Sequence, residues 1–155
     1  GKSREALRKT YPLGEIFEDV ALLVRLKLEQ SQVVLEIRDI SHDLLVFVDK
    51  GQLQQALLNL ILNGLVAMPE GGRLVIETLL PGEGKVQILV KDTGSGIPEE
   101  FLEKIFDSFL SARPGGTGLG LAISKRILRA HDGDLELVES SPNGTVFRLT
   151  LPLFT

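Results

Sequence analysis

Two glycine clusters contain the residues of this chain that could bind a ligand. The first, DTGSG, begins at Asp92 and follows an alternating apolar run that starts at Val86, so we place it where a strand ends and a carboxylate faces a cleft. The second, GGTGLG, ends at Gly120 and opens an amphipathic helix, whose free backbone N–H groups can bind an anion. A carboxylate that accepts from an amino group and a helix start that holds phosphates together predict a nucleotide site.

Either cluster alone has an ordinary explanation. Asp-x-Gly is common turn chemistry, so a simple turn at Asp92 is an open alternative. The GTGLGL run is not the dinucleotide-binding fingerprint, because no strand precedes it and no acidic partner follows it in a βαβ unit. It is not a P-loop either, since no Gly-Lys-Ser/Thr follows. The prediction therefore depends on the residues that accompany the two clusters.

A line of amides lies on a predicted helix that is otherwise almost wholly apolar. Gln55, Asn59 and Asn63 recur every four residues, which places them on one side of this helix. Burying an amide without a partner costs about 1–3 kcal/mol, so these side chains need hydrogen bonds, a ligand or a metal. They could cap neighbouring loops. An amide oxygen also suits Mg²⁺, which is held largely by water and substrate phosphates.

Composition limits the possible functions. The chain has 155 residues, 43% of them hydrophobic, which is enough for one domain with a core. A net charge of −4 makes a nucleic-acid partner unexpected. The absence of cysteine excludes disulfides and thiolate metal sites. No apolar run approaches the roughly 20 residues of a membrane span, so we expect no direct membrane contact from this segment.

The periodicity of the apolar residues predicts an α/β two-layer sandwich, with one sheet covered on one face by about three helices. Residues 2–10 are charged and compatible with a helix that Pro12 interrupts. We interpret residues 1–12 as the end of a helix and linker from a preceding domain, and residues 13–155 as the domain itself. The predicted helices begin at Leu13, at about Lys50 and at the second glycine cluster, where Leu119 is the first residue of an apolar stripe. The predicted strands are Val33–Ile37, Leu44–Val48, Arg73–Leu79, Lys85–Lys91, Asp134–Glu139 and Thr145–Leu151.

Four motifs occur in a fixed order along the chain: NLILNGLVAMPEGG, DTGSGIPEE, FDSFLSARPGGTGLGLAISKRI and NGTVFRLTLP. Together they resemble the N, G1, F and G2 boxes of the catalytic and ATP-binding domain of two-component sensor histidine kinases, members of the GHKL, or Bergerat, ATPase superfamily. The resemblance covers Leu13 to Pro152. It implies a Bergerat-type sandwich with a mixed, mostly antiparallel sheet, and it implies ATP and Mg²⁺ as ligands.

The resemblance also implies roles for single residues. Asn63 would coordinate the magnesium ion that bridges the ATP phosphates, and Asn59 would support the phosphates from one turn earlier. Asp92 would accept from the adenine amino group, with Gly96 allowing close approach and Thr145 assisting through water.

Further positions implied by the resemblance surround the same ligand. Ile97 would line the adenine pocket, next to Gly94 of the DTGSG loop. Residues 106–116 would be a mobile lid that begins at the nucleotide-binding Phe106, and Arg113 stands where relatives commonly have a lysine near the phosphates. The backbone cradle for the phosphates would consist of Thr117, Gly118, Leu119 and Gly120.

The reaction implied by the resemblance is transfer of the ATP γ-phosphoryl group to a histidine on a separate dimerisation domain. Hydrolases of the wider fold place a glutamate base at the position of Asn59, and an amide cannot take a proton at neutral pH. His42 and His131 are interpreted as a turn residue and a helix cap, so the acceptor histidine lies outside the chain. A nucleotide-sensing module without turnover and a GHKL ATPase are the alternatives.

The implied partners are the histidine-containing dimerisation domain of the parent kinase and, indirectly, a response regulator. We expect the domain to be cytoplasmic, although the parent protein could be membrane-anchored. The sequence departs from the family pattern at Gly64 and Val66, which replace an alanine and a polar residue, and in the short lid segment FLSAR.

Overall fold

The computed structural model describes residues 7–38, 43–107 and 120–154. The strands are β1 (Lys9–Pro12), β2 (Val33–Arg38), β3 (Leu45–Val48), β4 (Gly72–Gly82), β5 (Lys85–Asp92), β6 (Asp134–Ser141) and β7 (Gly144–Pro152). The helices are α1 (Leu13–Ser31), α2 (Lys50–Val66) and α3 (Gly120–Ala130), with a 3₁₀ helix at Glu99–Lys104. Apart from β1 and the 3₁₀ helix, these elements occur in the order that the sequence predicts.

Five strands form a mixed sheet in the order β2, β4, β5, β7, β6. β2 pairs in parallel with β4, and the three other pairs are antiparallel. Alternate residues of the central strands are buried, as the two-residue period of a strand requires. Ile76, Ile88 and Leu149 on this face are at most 1% exposed. The predicted sandwich with a mostly antiparallel sheet is confirmed.

The three helices pack against the buried face of the sheet. The apolar stripe of α1 is buried as predicted, and Leu13, Phe17 and Val20 on it are at most 1% exposed. α2 is apolar around most of its circumference because it contacts α1, α3 and the sheet. Each fully buried leucine or phenylalanine contributes about 1.5–3 kcal/mol to folding. None of the helices in the described ranges is long and apolar enough to span a membrane.

Two residues fix the start of α2. The Asp49 side chain caps the helix by accepting from the Gln52 backbone N–H at 3.1 Å. His131, which is only 4% exposed, accepts from the Asp49 backbone N–H through Nε2 at 3.1 Å, while its Nδ1 lies 2.8 Å from the Ile127 carbonyl oxygen. His131 therefore caps the end of α3, as predicted, and also joins α3 to the start of α2. His42 lies outside the described residues.

The beginning of the chain differs from the prediction. Lys9 and Thr10, which were assigned to a helix, lie in β1, and β1 pairs antiparallel with β3 in a second, two-stranded sheet. The prediction that all strands belong to one sheet was therefore wrong, because β3 pairs with β1 and not with the five-stranded sheet. Helix compatibility is a weak local preference, and strand pairing with β3 overrides it. Pro12 then precedes α1 in an extended conformation, with φ −64° and ψ 132°. The division between residues 1–12 and 13–155 stays a prediction.

Candidate functional site

Asp92 is the last residue of β5, which is the central strand of the five-stranded sheet. Its strand neighbours are Leu74 on β4 and Thr145 on β7. The half-buried Asp92 side chain accepts from the Gly94 backbone N–H through Oδ1 at 2.8 Å. This hydrogen bond is the turn chemistry that the Asp-x-Gly pattern allows. It fixes the direction in which the carboxylate leaves the strand.

Two glycines let the loop after Asp92 pass close to other backbone. A Cβ on Gly94 would lie 2.6 Å from the Ala67 Cβ, and the next residue, Ser95, donates its N–H to the Ala67 carbonyl at 3.1 Å. Gly96 has φ 85°, and a Cβ there would collide with the Ser141 carbonyl oxygen. The loop is thereby held between the end of α2 and strand β6.

Ser140 joins this loop to the sheet and was missed by the sequence analysis. Its Oγ accepts from the Ile97 backbone N–H at 2.8 Å and lies 2.9 Å from the Thr145 Oγ1. Thr145 is fully buried, so its hydroxyl is directed at Ser140 within the protein. The hairpin pairing of β6 with β7 places Ser140 opposite Thr145, and this register is the signal that could have identified it.

Gly64 brings α2 directly against Asp92. A Cβ on Gly64 would lie 3.4 Å from the Asp92 Cβ, 3.4 Å from its Oδ2 and 3.1 Å from the Leu74 Cδ2. Asn63 precedes Gly64 and is half-buried on the same helix. α2 therefore carries the predicted metal-binding amide past the predicted adenine-binding carboxylate.

Both the nitrogen and the oxygen of the Asn59 side-chain amide form hydrogen bonds. Its Nδ2 donates to the Gly120 carbonyl at 3.1 Å and to the Ser124 Oγ at 3.3 Å, and its Oδ1 accepts from the Gln55 Nε2 at 2.8 Å. Gly120 is the first residue of α3. Gln55 and Asn59 of the predicted line of amides are thus hydrogen-bonded to each other, and Asn59 connects them to the start of the predicted phosphate-binding helix.

Phe106 lies between the sheet and α3, where it contacts Phe147 of β7 and Lys125 of α3. Its ring contacts Phe147 edge to face at 6.2 Å between centroids, and the Lys125 Nζ lies 4.8 Å from its centre. Lys125 also donates to the Leu135 carbonyl at 2.7 Å and forms an ion pair with Asp134 at 3.0 Å. Burial alone would raise the pKa of the Asp134 carboxyl, but the hydrogen bonds from Lys125, the Leu135 backbone N–H and Arg129, together with the charge of Lys125, outweigh it, so this pKa lies below its usual value.

Residues 48–155 match the family of histidine kinase-, DNA gyrase B- and HSP90-like ATPases. The chain belongs to this family. Among known relatives, sporulation kinase C of Bacillus subtilis (strain 168) is 40% identical to this ATPase-family domain over 146 residues, which cover 94% of the chain and 34% of that kinase. The domain thus spans about a third of the length of this relative.

Solved histidine kinases share the fold of this ATPase-family domain. The catalytic domain of histidine kinase ThkA has a TM-score of 0.83 and 32% identity, with coverage of 94% of this chain and 95% of that one. ThkA in complex with the response regulator TrrA has a TM-score of 0.79, 30% identity and coverage of 95% and 42%. Full-length ShkA in complex with AMPPNP has a TM-score of 0.83, 26% identity and coverage of 96% and 31%. The predicted resemblance to the catalytic, ATP-binding domain of sensor histidine kinases is confirmed.

Several predicted positions of the ATPase-family site lie outside the described residues. They are most of the predicted lid and cradle, including Arg113, Thr117, Gly118 and Leu119. The structure brings together Asp92, Gly94, Gly96, Ile97 and Thr145 at the end of β5 and places Asn59 and Gly120 at the junction of α2 and α3. Their roles in binding a nucleotide stay predictions.

The donor groups present fit a magnesium ion held mainly by a nucleotide. Asn63 offers a neutral amide oxygen, a hard ligand of the kind that Mg²⁺ accepts. In the described part of the chain, no three histidine, aspartate or glutamate side chains converge as a ready-made metal site. An ion at Asn63 would therefore take its other ligands from phosphate oxygens and water, which is the usual coordination of Mg²⁺.

Proposed function

We propose that this domain binds ATP with Mg²⁺ and donates the γ-phosphoryl group to a histidine on a separate dimerisation domain of the parent kinase. The observation that carries the proposal is the contact of α2 with Asp92 at Gly64, where a Cβ would lie 3.4 Å from the Asp92 Oδ2. This contact packs the helix that carries Asn63 against the strand end that carries Asp92. In the proposed complex, the purine amino group would be bound at the strand end and the metal-bound triphosphate along the helix.

The residues of the domain would act mainly by binding and positioning. Asp92 accepts from the 6-amino group of adenine, which guanine does not present at that position. Asn63 would hold the magnesium ion, whose chemistry when bound is to neutralise negative charge on the phosphates. The acceptor histidine nitrogen forms the new P–N bond as the bond from the γ-phosphorus to the β-phosphate oxygen breaks, and ADP leaves. Such transfer depends chiefly on positioning and charge neutralisation.

Transfer is favoured over hydrolysis by the environment of Asn59. A hydrolase needs a group that takes a proton from water. The Asn59 oxygen accepts from Gln55 at 2.8 Å and its nitrogen donates to Gly120 and Ser124. A neutral amide bonded in this way cannot serve as the base. The acceptor in the reaction is therefore expected to be a partner side chain.

Asn63→Ala should abolish transfer of phosphate from ATP to the parent's isolated dimerisation domain, because the ion loses its protein ligand. Radiolabelled ATP and the two separate domains would measure this. Asn143→Ala, at an exposed position in the β6–β7 turn, is the matched control and should transfer at the wild-type rate. Retained ATP binding by the wild-type domain without transfer would favour a nucleotide-sensing module, and steady-state release of phosphate would favour an ATPase.

Partners beyond the dimerisation domain follow from the relatives. Since ThkA has been solved with the response regulator TrrA, we propose that the phosphoryl group carried by the parent's histidine passes on to a response regulator. We place this domain in the cytoplasm, where ATP is supplied.

A further inference from the structure

Ser124 is a polar residue in a position where an apolar one would be expected. It lies on the inner face of α3 with Ala122 and Leu128, and its exposed fraction is zero. Its hydroxyl donates to the Ala56 carbonyl at 3.1 Å and accepts from the Asn59 Nδ2 at 3.3 Å. Both partners are on α2. A buried hydroxyl that is fully satisfied by one neighbouring helix fixes how the two helices meet.

The contacts of Asn59 extend this junction to the first residue of α3. The same Nδ2 that donates to Ser124 donates to the Gly120 carbonyl at 3.1 Å. Gly120 and Ser124 are one helical turn apart, so a single amide group holds the whole first turn of α3. On the other side, Gln55 orients the amide by donating to its oxygen at 2.8 Å. If the Asn59 amide flipped, its NH₂ group would face the Gln55 donor and its oxygen would face the Gly120 carbonyl. Only the observed orientation is compatible with these contacts.

We propose that Ser124 is a positioning residue for the phosphate end of the nucleotide site. Through Asn59 it locks the first turn of α3 onto α2, one turn before Asn63. The amino end of α3 and the Asn63 amide are then held at a fixed separation, so both can act on the same phosphate group. This inference rests on the proposed function, and it assigns Asn59 to holding the site together.

A packing role alone would have different consequences. If Ser124 only filled space, replacing it would lower stability and weaken every ligand equally. If it positions the phosphate end, its loss should weaken the contribution of Mg²⁺ and phosphates and leave the adenosine contribution unchanged. Comparing ATP with adenosine, and each with and without Mg²⁺, separates the two roles.

The test compares Ser124→Ala with Ser124→Thr and Thr78→Val by titration calorimetry of the folded variants. Ser124→Ala should reduce the gain in ATP affinity on adding Mg²⁺ by roughly three- to ten-fold, the effect of one or two hydrogen bonds, and leave adenosine affinity within about two-fold. Ser124→Thr keeps the hydroxyl and should restore the gain. Thr78→Val is the matched control, since the Thr78 hydroxyl is buried and without a hydrogen-bond partner in the described structure.

A second measurement needs neither nucleotide nor metal. In ¹H–¹⁵N spectra of the ligand-free domain, the Asn59 side-chain NH₂ resonances should shift in Ser124→Ala and stay in place in Thr78→Val. Asn59→Leu, which keeps the size but cannot donate to Gly120 or Ser124, should lose the Mg²⁺ gain like Ser124→Ala, and it serves if the threonine variant does not fold.

The outcomes distinguish this inference from the proposed function. If the wild-type domain gains no ATP affinity from Mg²⁺, the proposed function is overturned. If the wild type gains affinity and Ser124→Ala gains as much, only the positioning role is overturned. An equal loss for adenosine and ATP, or unchanged Asn59 resonances, would also contradict the positioning role.

Discussion

At the scale of single residues, Asp92 shows how a turn and a recognition group coexist. Its Oδ1 accepts from Gly94 at 2.8 Å, as the simple turn interpretation requires. Its Oδ2 lies on the side of Gly64. The turn therefore holds the carboxylate in place, and it is compatible with the proposed recognition of a purine. A preorganised acceptor loses little conformational freedom when a purine amino group binds.

Asp92→Ala should remove the preference for ATP over GTP. In the proposed complex the carboxylate would accept from the adenine amino group and would face the guanine O6 unfavourably, so its loss should lower ATP affinity by roughly 1.5–3 kcal/mol, the usual value for a hydrogen bond to a charged group. Competition of both nucleotides against a fluorescent ATP analogue would measure the ratio. Glu29→Ala, at an exposed position of α1, removes the same charge and should keep the wild-type ratio. An Asp92→Ala domain that still prefers ATP would place the adenine pocket elsewhere.

Residue types and spacing predict some of these groups and miss others. Asp92 and Asn59 stand out because glycines follow the first and apolar residues surround the second. Ser124 and Ser140 have no such local signal. Their partners are distant in sequence, since Ser124 contacts Ala56 and Ser140 contacts Ile97. Only the packing of α3 on α2 and the register of β6 with β7 bring these groups together.

At the scale of elements, α2 organises both ends of the site. Gly64 lowers the helix propensity of α2 by about 1 kcal/mol relative to alanine. A Cβ at this position would be in ordinary contact with Asp92, 3.4 Å from its Oδ2, and slightly tight against the end of the Leu74 side chain at 3.1 Å. Glycine therefore leaves a space between α2 and the Asp92 carboxylate that the methyl group of an alanine would fill. The start of α2 is fixed independently by Asp49 and His131.

His131→Ala should lower the free energy of unfolding by roughly 2–4 kcal/mol. It leaves the buried Asp49 N–H without an acceptor, which costs about 1–3 kcal/mol, and it opens a cavity at the end of α3. Urea denaturation would measure the loss. Arg126→Ala, at an exposed position of α3, should stay within about 0.5 kcal/mol of the wild type. A His131→Ala domain as stable as the Arg126→Ala control would show that the contact does not join the two helices.

Periodicity predicts the elements better than their ends and pairings. The apolar stripe of α1 and the alternation of β5 are strong local patterns, and both were correct. β1 has only four residues, and its partners in β3 are distant in sequence, from 33 positions for Pro12 with Leu45 to 39 positions for Lys9 with Val48. β4 also runs on to Gly82, beyond the predicted Leu79, through an irregular pairing with β5. Short or irregular strands of this kind have no local signal.

At the scale of the whole molecule, the predicted site joins the two layers of the sandwich. Asp92 belongs to the sheet, whereas Asn59, Asn63 and Gly120 belong to the helices. The layers already share one core, in which Leu57, Ile61, Ile88 and Leu149 are fully buried. A ligand that contacts both layers would bind the folded domain and have no equivalent site in the unfolded chain. Nucleotide binding should therefore raise global stability.

Mg²⁺ and ATP together should raise the melting temperature of the wild-type domain. At a ligand concentration about 100 times the dissociation constant, binding to the folded state alone contributes about 2.7 kcal/mol. For a domain of this size, that corresponds to roughly 5–10 °C. Differential scanning fluorimetry would measure the shift against ligand concentration. Asn63→Ala should respond to ATP equally with Mg²⁺ or EDTA, because the ion has lost its ligand on α2. An undiminished Mg²⁺ effect in Asn63→Ala would mean that another group holds the metal.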